Sequence, residues 1–340
     1  MKHICVLPGD GIGPEVVSCA VEVLKHATDQ LDYAYADIGQ AAMEKYGSGL
    51  PDETLDLMIR SDSCLFGAVT SPPGGAPGSP VLRFRKELDL FANLRPVKNF
   101  LPIQGRPPID VVIVRENSEG MYTQREEIDD EGVTTLRRVT RKASERIISF
   151  AILHALENGR KRICCVHKAN VLTRSDGLFL EMFRNLMKER QGRLNAEEQL
   201  VDSAALKLVT DPAAFDMIVT LNLYGDILSD VAAAVAGGLG FGPSGNIGPK
   251  HSVFEPIHGS APDIAGRGIA NPTAAILAGA MMLRHLGFKT AATAIETAVA
   301  QTYATGHLTM DIGGRHDSRS FTDHVVKNLP KDDPGPVASS

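Results

Sequence analysis

Asp226 and Asp230 are the residues whose spacing points most directly to chemistry, in Tyr224-Gly225-Asp226-Ile227-Leu228-Ser229-Asp230. On a helix, a four-residue spacing puts both carboxylates on one face. Two carboxylates there repel, and a divalent cation such as Mg²⁺ or Mn²⁺, which prefers oxygen ligands, would relieve the repulsion. A solvated helix face is the other reading of the same spacing. Three arginines, Arg85, Arg95 and Arg115, stand in FRKELD, NLRPV and VIVREN, each beside a strand end or turn. Guanidinium groups bind carboxylates through paired hydrogen bonds and keep their charge. Together they would suit a di- or tricarboxylic acid, whereas singly each fits a surface or salt-bridged residue. The run from Glu255 to Gly266 (EPIHGSAPDIAG) is a loop of small residues with two prolines. Its backbone N–H groups can approach a phosphate or ribose closely. Asp263 within it would accept hydrogen bonds from both ribose hydroxyls and repel a 2′-phosphate.

A fourth feature, Gly9-Asp10-Gly11-Ile12-Gly13-Pro14-Glu15, looks like a dinucleotide-binding turn. Its spacing is GxGxG, not GxGxxG, and no acidic residue ends a second strand about 20 residues on. A tight strand-to-helix turn with proline near the helix start accounts for these residues, so a true Rossmann fold is not expected.

These groups need a scaffold, and apolar runs alternating with amphipathic stretches supply one. Strands are expected at Ile4–Leu7, Cys64–Val69, Val111–Val114, Ile163–Val166 and Met217–Thr220. Helices are expected at Pro14–Thr28, Ser144–Asn158, Gly177–Glu189 and Pro272–His285. That alternation predicts an α/β fold with a largely parallel sheet. Ser71–Pro80 reads as a Pro/Gly-rich loop, Tyr122–Thr140 as a β-hairpin arm that packs on a partner subunit, and the tail from Pro330 as frayed. Net charge is −6, which argues against nucleic acid as the main partner. No apolar run reaches the roughly 18 residues of a membrane span, and the N-terminus lacks a signal-peptide pattern. The five cysteines are odd in number and lack metal-site spacing, so free buried thiols and a cytoplasmic location are expected.

Five segments taken together, LDLFANLRPVK, RENSEGMY, VHKANVL, LYGDILSD and the run from Val253 to Leu283, resemble the β-decarboxylating dehydrogenases. That family includes isopropylmalate, isocitrate, homoisocitrate and tartrate/D-malate dehydrogenases, and the resemblance runs from the GDGIGPE turn to about residue 325. It implies a two-lobed isopropylmalate dehydrogenase-like α/β fold with parallel and mixed sheets. The larger, discontinuous cofactor domain would span 1–90 and 239–340. The smaller domain, 91–238, would hold the metal carboxylates, the arm at about 122–140 and the dimer interface.

Carried over residue by residue, the resemblance makes Arg85, Arg95 and Arg115 a carboxylate clamp, Tyr122 and Lys168 the catalytic pair, and Asp202, Asp226 and Asp230 the metal ligands. Lys168 and Asp202 would reach the site from a neighbouring subunit, which implies a homodimer or a dimer-based oligomer with shared active sites. Asn170 would also line the site, and Ser79 and Val81 would read the substrate's third substituent. The cofactor residues implied are Thr70, Glu255, His258, Gly259, Ser260, Ala261, Asp263, Ile264 and Asn271. NADP-using relatives carry Lys and Tyr where Asp263 and Ile264 stand, so the cofactor implied is NAD, with Mg²⁺ or Mn²⁺. The reaction implied is oxidation of a (2R)-2-hydroxy acid at C2, loss of CO₂, and protonation of the enol by Tyr122, with Lys168 assisting removal of the hydroxyl proton.

Isocitrate enzymes carry Ser and Asn at the positions of Ser79 and Val81, and Val81 cannot hydrogen-bond a γ-carboxylate. RENSEG and VHKANVL, where bacterial isopropylmalate enzymes read RELTGG and VDKANVL, resemble homoisocitrate enzymes. Arg83 is an extra cation that would either reach a distal carboxylate or be solvated. The order expected is homoisocitrate or a close 3-substituted malate, then 3-isopropylmalate, then isocitrate or D-malate. A non-catalytic regulatory subunit of a hetero-oligomer is the remote alternative, and such subunits usually lose the Tyr, the Lys or a metal carboxylate. All are retained here.

Overall fold

Parallel strands buried on both faces need continuous apolar runs, and those runs set the framework. The computed structural model describes residues 1–70, 79–100, 107–190 and 192–330. Its strands are β1 (Lys2–Gly9), β2 (Leu31–Tyr35), β3 (Ser63–Ala68), β4 (Ala92–Lys98), β5 (Asp110–Glu116), β6 (Glu126–Ile128), β7 (Val133–Thr135), β8 (Arg162–His167), β9 (Asn195–Leu200), β10 (Met217–Thr220), β11 (Pro243–Ile247) and β12 (Ser252–Pro256). Its helices are α1 (Gly13–Ala27), α2 (Gln40–Tyr46), α3 (Asp52–Arg60), α4 (Pro80–Glu87), α5 (Arg141–Glu157), α6 (Ser175–Lys188), α7 (Val201–Thr210), α8 (Asn222–Ala236), α9 (Thr273–His285), α10 (Lys289–Ala304) and α11 (Ser318–Lys327). All five expected strands and all four expected helices are present within a residue or a few at their ends.

The chain divides into two compact units. One comprises Met1–Phe84, Leu239–Gly245 and the chain from His251 onward. The other comprises Arg85–Gly238 and Asn246–Lys250. Arg85 therefore falls in the same unit as Arg95 and Arg115.

In the first unit the strand order is β2-β1-β3-β12, with these neighbours parallel, unlike the 3-2-1-4-5-6 order of a Rossmann sheet. Every residue of β3 and β12 is buried. Helix α1 opens with Pro14 and Glu15, which suit a helix start.

In the second unit the order is β4-β5-β10-β8-β9, antiparallel between β4 and β5 and parallel elsewhere. One core cluster packs Ala204 and Leu208 of α7 and Leu228, Ala232, Val235 and Ala236 of α8 against Val111, Ile113, Val166 and Ile218 of the sheet. Burial of Leu228 and Ala232 fixes the rotation of α8, and therefore where Asp226 and Asp230 point.

Three expectations change in detail. The arm is a hairpin whose regular ladder among the described residues is short, joining β6 and β7, with a bridge between Gly120 and Arg138 at its base and Asp129 accepting from the Glu131 and Gly132 N–H groups at 2.9 Å each at its tip. Arg85 sits not at a strand end or turn but within the helix Pro80–Glu87, started by a proline that cannot serve a helix interior but suits its first turn. Arg95 lies in the middle of β4, whereas Arg115 sits at the end of β5, as expected. The Pro/Gly-rich stretch up to residue 78 and the tail beyond 330 lie outside the described residues. All five cysteines are free and buried. Among the described residues no helix is long and apolar enough to cross a membrane.

Asp216, just before β10, ties two chain segments together. It accepts from the N–H groups of Lys161 (2.6 Å) and Arg162 (3.0 Å) and from Arg160 Nη1 (3.0 Å). Burial raises its carboxyl, but these donors outweigh burial and hold it below the usual carboxylate range. A depressed folded value means that the stabilisation is present above the unfolded value, about 3.9, and fades as pH falls through the folded one. Asp216→Ala should cost about 2 kcal/mol in denaturant unfolding at neutral pH. The gap from wild type should narrow on acidification below that range, and a gap independent of pH would refute this reading.

Candidate functional site

β4 and β5 present two arginines on one face, diagonally across their antiparallel register, with Asn93 opposite Arg115 and Arg95 opposite Ile113. Above them α8 brings Asp226 and Asp230 one turn apart. Arg115 Nη1 donates to Asp226, and Arg95 Nη1 stands 3.3 Å from Asp226 and 3.8 Å from Asp230. The Tyr122 hydroxyl also donates to Asp226, and the Arg115 guanidinium lies 4.8 Å over the Tyr122 ring. Arg85 is close enough to bias Asp226, Arg115 and Tyr122 electrostatically. The sequence-predicted arginines, Tyr122 and two of the three acids therefore form one charge cluster.

The cluster is oriented by residues that the sequence reading did not single out. Asn222 accepts from Arg115 Nε at 3.0 Å and donates to the Glu119 carbonyl at 2.9 Å. Asn93 accepts from Arg95 Nε at 2.6 Å, and Ser229 accepts from Arg95 Nη1 at 2.6 Å. A Cβ on Gly225 would stand 2.6 Å from Arg115 Cβ and Cγ, so only glycine lets α8 come this close to β5. The spacing of YGD within a helical run is the one signal that could have marked it, since glycine inside a helix costs stability unless close approach requires it.

Burial and charge oppose each other here. Burial raises the Asp226 carboxyl, but Arg115 and Arg95 overcome it and hold Asp226 below the usual carboxylate range. Burial pushes Asp230 up, and Asp226 adds to that. Burial also raises the Tyr122 phenol, which therefore stays protonated at neutral pH. Burial, with Arg95 and Arg85 nearby, pushes Arg115 down to about 10, still charged at neutral pH. Arg115 is 1% exposed, and its Nη2 has no hydrogen-bond partner among the described residues. A buried guanidinium with a spare donor, beside two partly open carboxylates, fits a carboxylate ligand together with a hard cation.

Lys168 and Asp202 form a separate pair, with Nζ 2.5 Å from Oδ1. That hydrogen bond holds the Asp202 carboxyl below its usual range. Asp202 does not converge with Asp226 and Asp230 within one chain. The Lys168 backbone N–H donates to Asp176 Oδ2 at 2.7 Å, and Arg137 of the arm's return stands 2.5 Å from Asp176 Oδ1. Asp176 is fully buried and sets the turn that carries Lys168, a role with no signal in local sequence. Asn170, two residues on, is exposed.

Arg83 is not a free cation. Its Nη2 pairs with the exposed Asp52 at 2.5 Å and its Nη1 donates to the Leu50 carbonyl at 2.6 Å. Ser79 supports the first turn of α4, its carbonyl accepting from Arg83 N at 3.0 Å, and Val81 is half-buried.

In the first unit, the glycine turn and the loop after β12 pack on each other. Ile12 N donates to the Ser260 carbonyl at 2.8 Å, Thr70 Oγ1 to Ser260 Oγ at 2.8 Å, and Thr70 N to Asp10 at 2.8 Å. Gly11 has φ +60°, and a Cβ there would overlap the Ser260 carbonyl. The turn is thus the seat of the 255–266 loop. Glu255 and Ser260 are buried, while Gly259 and Asp263 are exposed and Ala261 and Ile264 half-exposed. His258 holds the Gly259 carbonyl at 2.9 Å through Nδ1, and its buried Nε2 has no partner among the described residues. Asn271 is already engaged, accepting from Thr273 N and donating to Asp311, both at 3.0 Å. Gly11→Ala should push the loop outward and weaken binding of NADH, the cofactor that the sequence resemblance implies, roughly tenfold, about 1.4 kcal/mol, by fluorescence titration. Unchanged affinity would separate the turn from the loop's function.

A sequence model described as isocitrate/isopropylmalate dehydrogenase matches residues 3–329. The homoisocitrate dehydrogenase of Methanocaldococcus jannaschii is 42% identical over 97% of this chain and 99% of its own length. The 3-isopropylmalate dehydrogenase of Archaeoglobus fulgidus is 44% identical over 97% of this chain and 100% of its own. The crystal structure of isocitrate dehydrogenase from Methylococcus capsulatus superposes with a TM-score of 0.93, at 41% identity, covering 96% of this chain and 99% of that one. With its charge cluster and its mixed α/β architecture, this chain belongs to the isocitrate/isopropylmalate dehydrogenase family of oxidative decarboxylating dehydrogenases.

Proposed function

We propose that this chain oxidises and decarboxylates a 3-substituted (2R)-malate, using NAD and Mg²⁺ or Mn²⁺. The single observation that carries this reading is Asp226, held ionised between Arg95, Arg115 and Tyr122 with Asp230 one helical turn on. Arg85, Arg95 and Arg115 bind the substrate's carboxylates, Arg115 with the donor it has to spare. Asp226 and Asp230, with Asp202, would hold the cation, which would supply Lewis acidity, and the 255–266 loop would hold NAD, which would supply a hydride acceptor. Lys168, once the cation takes Asp202 and the ammonium has given its proton to solvent, would receive the hydroxyl proton on its free amine. After CO₂ leaves, Tyr122 delivers its phenolic proton to the enol carbon; its burial keeps it in the acid form that this requires.

Asp263 and its neighbours support NAD, because a carboxylate accepts from ribose hydroxyls and repels a 2′-phosphate. A homodimer, with Lys168 and Asp202 reaching the partner's site, is supported by the absence of Asp202 from any shared ligand group with Asp226 and Asp230 among the described residues. Exposed apolar residues on the arm and on α7 fit such contacts: Ile128 (79%), Val133 (61%) and Leu206 (64%).

Homoisocitrate is the first substrate proposed, supported by RENSEG and VHKANVL. A second reading, 3-isopropylmalate, is favoured by the engagement of Arg83 with Asp52, which leaves half-buried Val81 facing any third substituent without an added cation. NADH formation with Mn²⁺ on homoisocitrate, 3-isopropylmalate, isocitrate, D-malate and tartrate, compared by kcat/KM, distinguishes them. Preference for 3-isopropylmalate would demote homoisocitrate, and turnover of none would sink the substrate class. Lys168→Ala should lower kcat by about 10²–10⁴ with NADH binding unchanged; turnover at the parent rate would remove Lys168 from the mechanism.

A further inference from the structure

Three histidines gather in the first unit, well apart in sequence: His307 after α10, His316 before α11, and His324 within α11. One ring nitrogen from each lies within 4.8 Å of the other two, and all three residues are half-buried. Ring centroids are 3.6 Å apart for His307 and His324, 5.0 Å for His316 and His324, and 5.1 Å for His307 and His316. Metal–nitrogen bonds of about 2.0–2.1 Å in a tetrahedron set the nitrogens about 3.4 Å apart, within reach of small side-chain rotations.

His307 is oriented further. The Thr305 hydroxyl donates to the Gln301 carbonyl at 2.8 Å, so at its 3.0 Å contact with His307 Nδ1 it accepts. Nδ1 then carries the proton and Nε2 keeps the lone pair, as a ligating imidazole held by an oxygen on its other nitrogen does.

From this geometry we propose a second metal site, formed by His307, His316 and His324, that takes a borderline transition-metal dication of the Zn²⁺ or Ni²⁺ class with an open fourth position. Imidazole favours such ions over the oxygen-preferring Mg²⁺ and Mn²⁺, so the site is chemically distinct from the carboxylates on α8. Its role is to brace one segment. His316 N donates to the Leu308 carbonyl at 3.1 Å, Thr309 donates to Asp311 at 2.5 Å, and Asp311 receives Asn271. A bound ion would fasten the 307–316 segment to α11, and through Asp311 steady the chain just beyond the 255–266 loop.

The test uses the full chain, stripped with chelator and kept in excess Mg²⁺. Titration with Co²⁺ should give the visible ligand-field absorption of a nitrogen-bound four-coordinate ion at one per chain. Zn²⁺ should displace it and raise Tm. His316→Gln and His324→Gln should each lose both effects with circular dichroism unchanged, while Asp226→Asn keeps them. Absence of the absorption in the wild type, its survival in both histidine variants, or its loss in Asp226→Asn would each overturn the proposal.

Discussion

A carboxylate kept ionised inside a half-buried ring of cations is the constraint around which the second unit is built. Burial raises the Asp226 carboxyl, and Arg115 and Arg95 outweigh it and hold the group below the usual carboxylate range. In return Asp226 occupies one arm of a guanidinium that is 1% exposed and costly to leave unpaired. Asn222 takes Arg115 Nε, while Asn93 and Ser229 take Nε and Nη1 of Arg95. Gly225 permits the approach, and the apolar stripe through Leu228 and Ala232 holds α8 at the angle that the pairing needs. Breaking one partner therefore disturbs both binding and packing.

The first unit follows a different logic, in which backbone approach takes the place of charge. Gly11 leaves room for the Ser260 carbonyl, Asp10 anchors Thr70, and Thr70 reaches Ser260. The result is a loop fixed at its base with small residues and Asp263 facing outward. Such a loop selects ligands by shape and by one negative charge, and tolerates no side chain beneath it.

Features with a local physical cause were legible in the sequence. Met217–Thr220 is buried on both faces, so its apolar run marks the strand to the residue. The i, i+4 spacing of Asp226 and Asp230 needs only a helix, and α8 supplies it. What escaped depends on partners far along the chain. Arg83 is 31 residues from Asp52, and Asn222 is 107 from Arg115. Asp176 looks like any helix-start acid until Arg137 and the Lys168 N–H are seen to converge on it. The stretch before Arg85 reads as loop because breakers precede it, yet proline at Pro80 begins the helix. The three histidines carry no spacing motif, since a turn and a helix bring them together.

The arginines engage Asp226, so a cation bound there would share its carboxylate with them. A substrate carboxylate would take over those guanidinium groups and release Asp226 to the cation, which makes the two ligands bind cooperatively. The direct measurement is Mn²⁺ affinity, followed by electron paramagnetic resonance, with and without D-malate, the unsubstituted core of the proposed substrates. The account predicts that D-malate tightens Mn²⁺ binding by about tenfold, within the usual range of coupling between sites. Equal Mn²⁺ affinity in both conditions would contradict it.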